Sequence, residues 1–423
     1  ALTLALAGAR PILIERGKPV EERTRDVSAL QNDGLLDPES NVQFGEGGAG
    51  AFSDGKLTTG TKSPWQRFVL ETFVRNGAPE EILWQARPHI GTDRLKAVVA
   101  SLRGEIIRHG GEVRFSTRLD RIQTRAAQVT GALVTDSQGT NEIETDTIFL
   151  CIGHSARDTL GQLYRDGLRM TQKPFAMGVR VEHPQSLINQ AQYGPAAGHP
   201  GLGPADYRLN VRTPDGRGVY TFCMCPGGDV ICSASQPGGV VTNGMSRHAR
   251  DGANANAALL VGVTTADFGD DHPLAGFVLQ RQIEIAAYAA GGGDFRAPVQ
   301  TVADLMAERE TRALGAVIPS YRPGVTPADL RAVLPEFIIR DLRYALPRLN
   351  GMLSGFALPD AILTGPETRS SSPVRIPRDD AGCAVEIRGL YPCGEGAGYA
   401  GGIMSAATDG IGAALRAIRQ SME

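Results

Sequence analysis

One stretch restricts the fold more than any other: IRGLYPCGEGAGYAGGIMSAATDGIGAALRAIRQ, residues 387 to 420. A short strand, GLYPCG, runs into an acid, Glu395, then a glycine-rich turn, then a helix from about Ile403. Ala406, Gly410, Ala413 and Ala414 give that helix a face of small residues, so it can lie close against a sheet. Its first turn has unpaired N–H groups and the positive end of the helix dipole, which together favour negative charge on a ligand. An acid before such a turn can hold a polyol by accepting from its hydroxyls. In an open α/β sheet, ligands bind just beyond the carboxyl ends of the strands. Gly394, Glu395, Gly401, Gly402 and Ile403 are therefore candidate binding residues.

The opening stretch, ALTLALAGARPILIERG, reads as the same kind of sheet. ALTLALAGA has helix formers and a glycine where a helix end wants one. RPILIERG is a short buried strand ending in Glu15. Helix, tight turn, strand and terminal acid make the second half of a βαβ dinucleotide unit, in which the acid accepts hydrogen bonds from a ribose diol. The glycine fingerprint of such a unit lies about 20 residues earlier. That places the expected first strand and GxGxxG turn ahead of Ala1.

Two more glycine-rich stations follow. In NVQFGEGGAGAFSDGKLTTG, residues 41 to 60, Gly45, Gly47, Gly48 and Gly50 allow close backbone approach to a flat ligand or a phosphate. Ser53, Asp54 and Lys56 then supply a hydroxyl, an acid and a cation. The spacing is not that of a P-loop. In DTIFLCIGHSARDT a buried strand stops at Gly153, and His154 and Arg157 fall just beyond it. A loop histidine satisfied by backbone is the plainer expectation for His154; a proton donor near a substrate is the other.

At 423 residues the chain is too long for one ordinary core, so two or three domains are expected. With 42% hydrophobic and 21% charged residues it has a globular composition. The net charge is −3 and there is no basic block, which argues against nucleic acid as a partner. The first residues lack the basic leader of a signal peptide, and no apolar run is long enough for a bilayer. Six cysteines lie inside apolar runs with no paired CxxC, which argues against zinc and for a reducing, cytoplasmic compartment.

TDRLKAVVASLRGEIIRHGGEVRF reads as an amphipathic helix with Leu95, Val98, Val99, Leu102, Ile106 and Ile107 on one side, stopped by Gly110 and Gly111. EVRFSTRLDRIQT gives one strand, and VTGALVTDSQGTNEIETDTIFL turns at Ser137-Gln138-Gly139 and returns to the sheet. From about Thr171 short alternating strands, FAMGVRVEH, YRLNVRT, GVYTFCMC and DVICSAS, predict an inserted antiparallel sheet. Helical material follows. In LRAVLPEFIIRDLRYALPRL, Pro335 and Pro347 act as breaks, predicting two or three helices.

PETRSSSPVRI sets Arg369, three serines and Arg375 shortly before the terminal turn, a cluster suited to an anionic substrate or, equally, a solvated loop. FCMCPGG sets Cys223 and Cys225 two apart on one strand face. Buried inert thiols are the favoured reading, because a disulfide between such neighbours is strained; a dithiol redox pair is the alternative. No second complete GxGxxG is present for a nicotinamide.

Taken together, these stations resemble the two-dinucleotide-binding-domain flavoproteins. FGEGGAGAFSDGKL, IGHSARDT, GVRVEHPQ, QPGGVVTNGMS and ETRSSSPVRI are similar to one bacterial group within them, the FAD-dependent dehydrogenases with the FAD-dependent protein C-terminal domain. The resemblance spans nearly the whole chain. It implies an α/β fold: a discontinuous Rossmann-like FAD-binding domain over 1–170 and 351–423, with an inserted antiparallel sheet and helices as substrate domain over 171–350. It implies FAD as cofactor, with Glu15 at the adenosine ribose, Leu119 at adenine, Glu395 at the ribityl chain, and Gly402 and Ile403 at the flavin pyrimidine. Arg16, Gly45, Gly47, Gly48, Ser53, Lys56, Gly153, Gly394 and Gly401 complete the cofactor set; Arg369 and His154 are the catalytic candidates. The activity implied is hydride transfer between flavin and a small organic substrate, with NAD(P)H as a possible electron donor. Two other readings stay open: a reductase of isoprenoid chains with the same architecture, and a flavin-binding sensor or interaction module without turnover.

Overall fold

The computed structural model describes residues 1–422. The first helix, Leu2–Leu6, ends before Gly8, whose φ of +86° suits only glycine, and the strand Ile12–Ile14 follows. That strand pairs in parallel with Glu112–Arg114. It is not buried as the sequence predicted: Ile12 and Leu13 remain 42% and 39% exposed. The cause is pairing along one edge only; the other side borders a large cavity. A second parallel pair joins Ile148–Leu150 to Leu390–Pro392, and its Ile148–Leu150 strand borders the same cavity. The register places Leu390 opposite Ile148 and Pro392 opposite Leu150.

EVRFSTRLDRIQT forms two strands rather than one. Glu112–Arg114 and Arg118–Arg125 belong to different sheets, and the break falls at Ser116, where φ is +50°. Arg118–Arg125, Gln128–Asp136 and Gly139–Glu144 make an antiparallel three-stranded sheet with its hairpin at Ser137-Gln138, before the chain returns through Ile148–Leu150. The amphipathic helix spans Thr92–Arg108 and buries Leu95, Val98 and Ile106, while Ile107 is 52% exposed at its last turn.

The short strands after Thr171 assemble into a seven-stranded sheet. Its spatial order is Val325–Pro327, Ala297–Thr301, Ile362–Glu367, Phe175–Pro184, Asn254–Val263, Gly218–Cys225, Asn210–Arg212. All pairings are antiparallel except that of the first two. The sheet reaches past residue 350, because Ile362–Glu367 pairs between Ala297–Thr301 and Phe175–Pro184. DVICSAS does not join it: Gly228–Cys232 pairs with Thr242–Ser246 as a separate ribbon.

The helices Ala275–Gly291 and Glu336–Met352 cover this sheet. Pro335 caps the second helix, and Pro347 lies inside it instead of ending it. An interior proline costs about 3 kcal/mol. Ile338, Leu342, Leu346 and Leu349 are all fully buried on that helix. At about 1.5–3 kcal/mol each, their burial outweighs the proline. The terminal helix runs Ile403–Met422. No helix of the described residues is long and apolar enough to cross a membrane.

Candidate functional site: one cavity joining four distant segments

Ile12–Ile14, Ile148–Leu150, the turn that follows Leu390–Pro392, the 41–60 loop and the start of the terminal helix all border one cavity of about 2630 Å3. That is well above the roughly 300–1,000 Å3 of a site for a single drug-sized ligand. Glu15, Arg16, Gly47, Gly48, Ser53, Lys56, Leu119, Gly153, His154, Arg369, Gly394, Glu395, Gly401, Gly402 and Ile403 line it; Gly45 does not.

Gly45 is instead a joint behind the wall. A Cβ there would lie 2.4 Å from Cδ of Arg23, and a Cβ on Gly17 would lie 2.5 Å from the Gly45 nitrogen. Arg23 is completely buried and donates to the carbonyls of Asn41, Val42 and Glu46, which fixes the loop. Glu15 Oε1 accepts from the N–H groups of Gly17 and Gly45, both at 2.9 Å. Only Oε2 is left for a diol. Arg16 is neutralised by Glu39 and Asp158, and its guanidinium stacks 4.2 Å from the Phe44 ring centroid.

Several glycines open directly onto the cavity. A Cβ at Gly48, Gly153, Gly401 or Gly402 would meet no atom within 4 Å, so these backbones are bare toward the empty space. Gly153 and Gly402 have φ of +67° and +145°. Such a cradle fits a flat or phosphate-bearing ligand. The N-terminus of Ile403–Met422 opens beside it, with Ile403, Met404, Ser405 and Ala406 in the wall. The small face predicted for this helix is divided: Ala413 packs against Tyr391 and Cys393, whereas Ala406 and Gly410 border the cavity.

His154 is 7% exposed, and neither ring nitrogen is satisfied by backbone, contrary to the plainer expectation. Its Nδ1 lies 3.2 Å from Glu395 Oε1. The strand ends at 150 and 392 are neighbours, which brings the two together.

Arg369 does not sit in a solvated loop. Its guanidinium makes a two-pronged pair with Glu284 and donates to Ser155 and Ser235. Arg157 pairs with the same carboxylate at 2.7 and 2.8 Å. Glu284 is completely buried. Burial works to raise its pKa, but Arg369 and Arg157 together hold it far below the ordinary carboxylate range. Two cations thus share one anion. Glu284 was missed from sequence; its signal was an acid at four residues from Gln280 on an otherwise apolar helix face.

Lys56 pairs with Asp54 at 2.7 Å, and Asp54, completely buried, also accepts from Arg250. Cys223 lines the cavity, half-buried, while Cys225 is buried behind it.

The geometry is that of a mixed α/β protein in which the short parallel strand pairs, the glycine-rich loops and the large sheet border one cavity. The chain belongs to the family of FAD-dependent proteins: a family model described as FAD-dependent protein, C-terminal domain-like, matches residues 174–370. An uncharacterized protein of Clostridium beijerinckii is 50% identical over 412 residues, covering 97% of this chain and 76% of the relative. Among solved structures, L-amino acid deaminase from Proteus myxofaciens matches across 100% of this chain and 87% of its own, at 10% identity and a TM-score of 0.38. Glycerol-3-phosphate dehydrogenase from Bacillus halodurans, solved with FAD, matches at 11% identity and a TM-score of 0.29, over 62% of this chain and 44% of its own. OxyS anhydrotetracycline hydroxylase from Streptomyces rimosus is likewise matched over only 44% of its length, with 63% of this chain, 16% identity and a TM-score of 0.24.

Proposed function

We propose that this cavity binds FAD and that the protein is an FAD-dependent oxidoreductase acting on a small anionic organic substrate. The observation that carries the reading is the convergence of Glu15, Gly48, Gly153, Glu395 and Gly402 on one cavity with bare glycine backbone facing into it. Bound FAD supplies hydride-level two-electron chemistry at its ring. The chain supplies position and charge. Glu15 offers Oε2 to a ribose diol, and Arg16, already paired, orients the wall rather than the ligand. Gly47, Gly48 and Gly153 permit close approach. Glu395 accepts from a polyol chain, and His154 lies beside the same carboxylate. The helix start at Gly402–Ile403 favours negative charge. The two parallel strand pairs are read as parts of one nucleotide-binding sheet, since both border the cavity with an unpaired edge. Arg369 and Arg157, with one positive charge more than Glu284 cancels, favour a substrate carboxylate or phosphate at the far end.

The test is titration of the purified protein with FAD, followed by visible absorption and flavin fluorescence, then addition of NADH or NADPH. Saturable binding, weakened about ten- to a hundred-fold by Glu395→Ala, is expected for loss of a hydrogen bond to a charged group, about 1.5–3 kcal/mol. Folded protein that leaves FAD fluorescence unchanged would overturn the reading.

A further inference from the structure

The seven-stranded sheet carries one irregularity at the cavity. Between Phe222, opposite Ala258, and Cys225, opposite Asn256, two residues face one on the neighbouring strand. Cys223 takes a φ of +42° inside this bulge. The extra residue changes the alternation of the strand, so Met224 turns into the main core. Cys223 is left in the cavity wall and Cys225 just behind it.

Two cations are built around this pair. Arg180, completely buried, places Nη2 2.7 Å from the Cys223 carbonyl and 3.7 Å from Cys225 Sγ. Lys56 Nζ lies 3.9 Å from Cys225 Sγ. The loop residues Lys56 and Asp54, with Arg250 on Asp54, face the thiols from one side. Arg180 and its partner Glu367 face them from Phe175–Pro184 and Ile362–Glu367, further along the same sheet, and Tyr207 approaches Cys225.

We propose that Cys223 and Cys225 form a working thiol pair, with Cys223 as the attacking thiolate and Cys225 as the resolving thiol, acting on a small disulfide that enters the cavity. Access supports the division of roles: Cys223 lines the cavity, where a disulfide can reach it, and Cys225 is buried behind it beside Lys56 and Arg180. The neighbouring Cys225 thiol, with Lys56 and Arg180 close by, holds the Cys223 thiol well below the ordinary thiol range. The Cys225 thiol donates to the Cys223 carbonyl at 3.3 Å, and its neighbour together with burial pushes it up. A thiolate is the nucleophile in exchange, and cationic neighbours are what stabilise it.

The chemistry closes without any other reactant. Cys223 Sγ attacks one sulfur of the disulfide; a mixed disulfide forms and the first thiolate leaves, to be protonated by solvent. Cys225 loses its proton and attacks Cys223 Sγ; a Cys223–Cys225 disulfide forms and the second thiolate leaves. One disulfide is reduced to two thiols while the pair is oxidised by two electrons. This inference goes beyond the flavin reading and needs no bound flavin, so the two stand or fall separately.

The first probe is iodoacetamide, used on the purified protein at pH 6 and mapped by peptide mass. Cys223 is expected to label about ten-fold or more faster than free glutathione at that pH, and Lys56→Met to reduce the rate several-fold. The second probe is glutathione disulfide. Wild-type protein is expected to lose two hydrogens on the peptide holding Cys223 and Cys225, and Cys225→Ser to retain glutathione on Cys223. Labelling no faster than glutathione, or oxidation that leaves this peptide dithiol, overturns the proposal. The wild-type measurements decide the matter even if a variant fails to fold.

Discussion

Glu284 is the residue on which both arginines of the site depend. Removing its charge leaves Arg157 and Arg369 buried without a counter-ion. Breaking a buried pair in this way costs about 3–5 kcal/mol. Glu284→Gln is therefore expected to lower the unfolding free energy by that amount, read from urea denaturation at pH 7. The folded-state pKa of Glu284 is depressed below the ordinary 4.5. Its contribution is thus present above the unfolded value and is lost as pH falls through the acid range. The urea midpoint of the wild type should drop from pH 7 to pH 3 by more than that of Glu284→Gln. Parallel pH profiles for the two proteins would remove Glu284 from the account.

The terminal helix shows how one element serves both packing and site. At Gly410 an added Cβ would meet nothing within 4 Å, and the backbone needs no special φ. Gly410→Ala is expected to stabilise the helix by about 0.5–1 kcal/mol. At Ala413, 1% exposed against Tyr391 and Cys393, added bulk has nowhere to go. Ala413→Leu should cost about 1–3 kcal/mol. Thermal melts of the two variants should move in opposite directions. This helix, the strand before it and the Thr92–Arg108 helix were legible because their patterns are local: glycine, acid and a 3.6-residue period. The antiparallel strands were legible from alternation and turns. The break at Ser116 and the continuous helix through Pro347 were not, because tertiary burial overrode local preference. The bulge at Cys223 was hidden for a related reason; register shifts are decided by the neighbouring strand. Of the site, the glycine turns were readable, but the Glu284 and Arg23 joints were not, since their partners lie far away in sequence.

Across the whole molecule, Asp54 ties the glycine-rich loop to Arg250 of the sheet-based body, and Arg23 braces the same loop from behind. A ligand that occupies the cavity touches both regions at once. FAD at 100 times its dissociation constant should add about 2.7 kcal/mol to the folded state. The melting temperature should rise with FAD concentration, and a melt indifferent to FAD would count against a binding site in this cavity. The parallel pairing of Leu390–Pro392 with Ile148–Leu150 has a consequence in time. Contacts between segments so distant along the chain carry a large loop-closure cost and slow folding. Until that pairing is made, His154 has no Glu395 beside it and the helix at Ile403 is not yet set against the glycine turns. A chain in which these two strands are apart therefore has only part of the cavity wall, so the completeness of the pocket depends on a contact between its most separated segments.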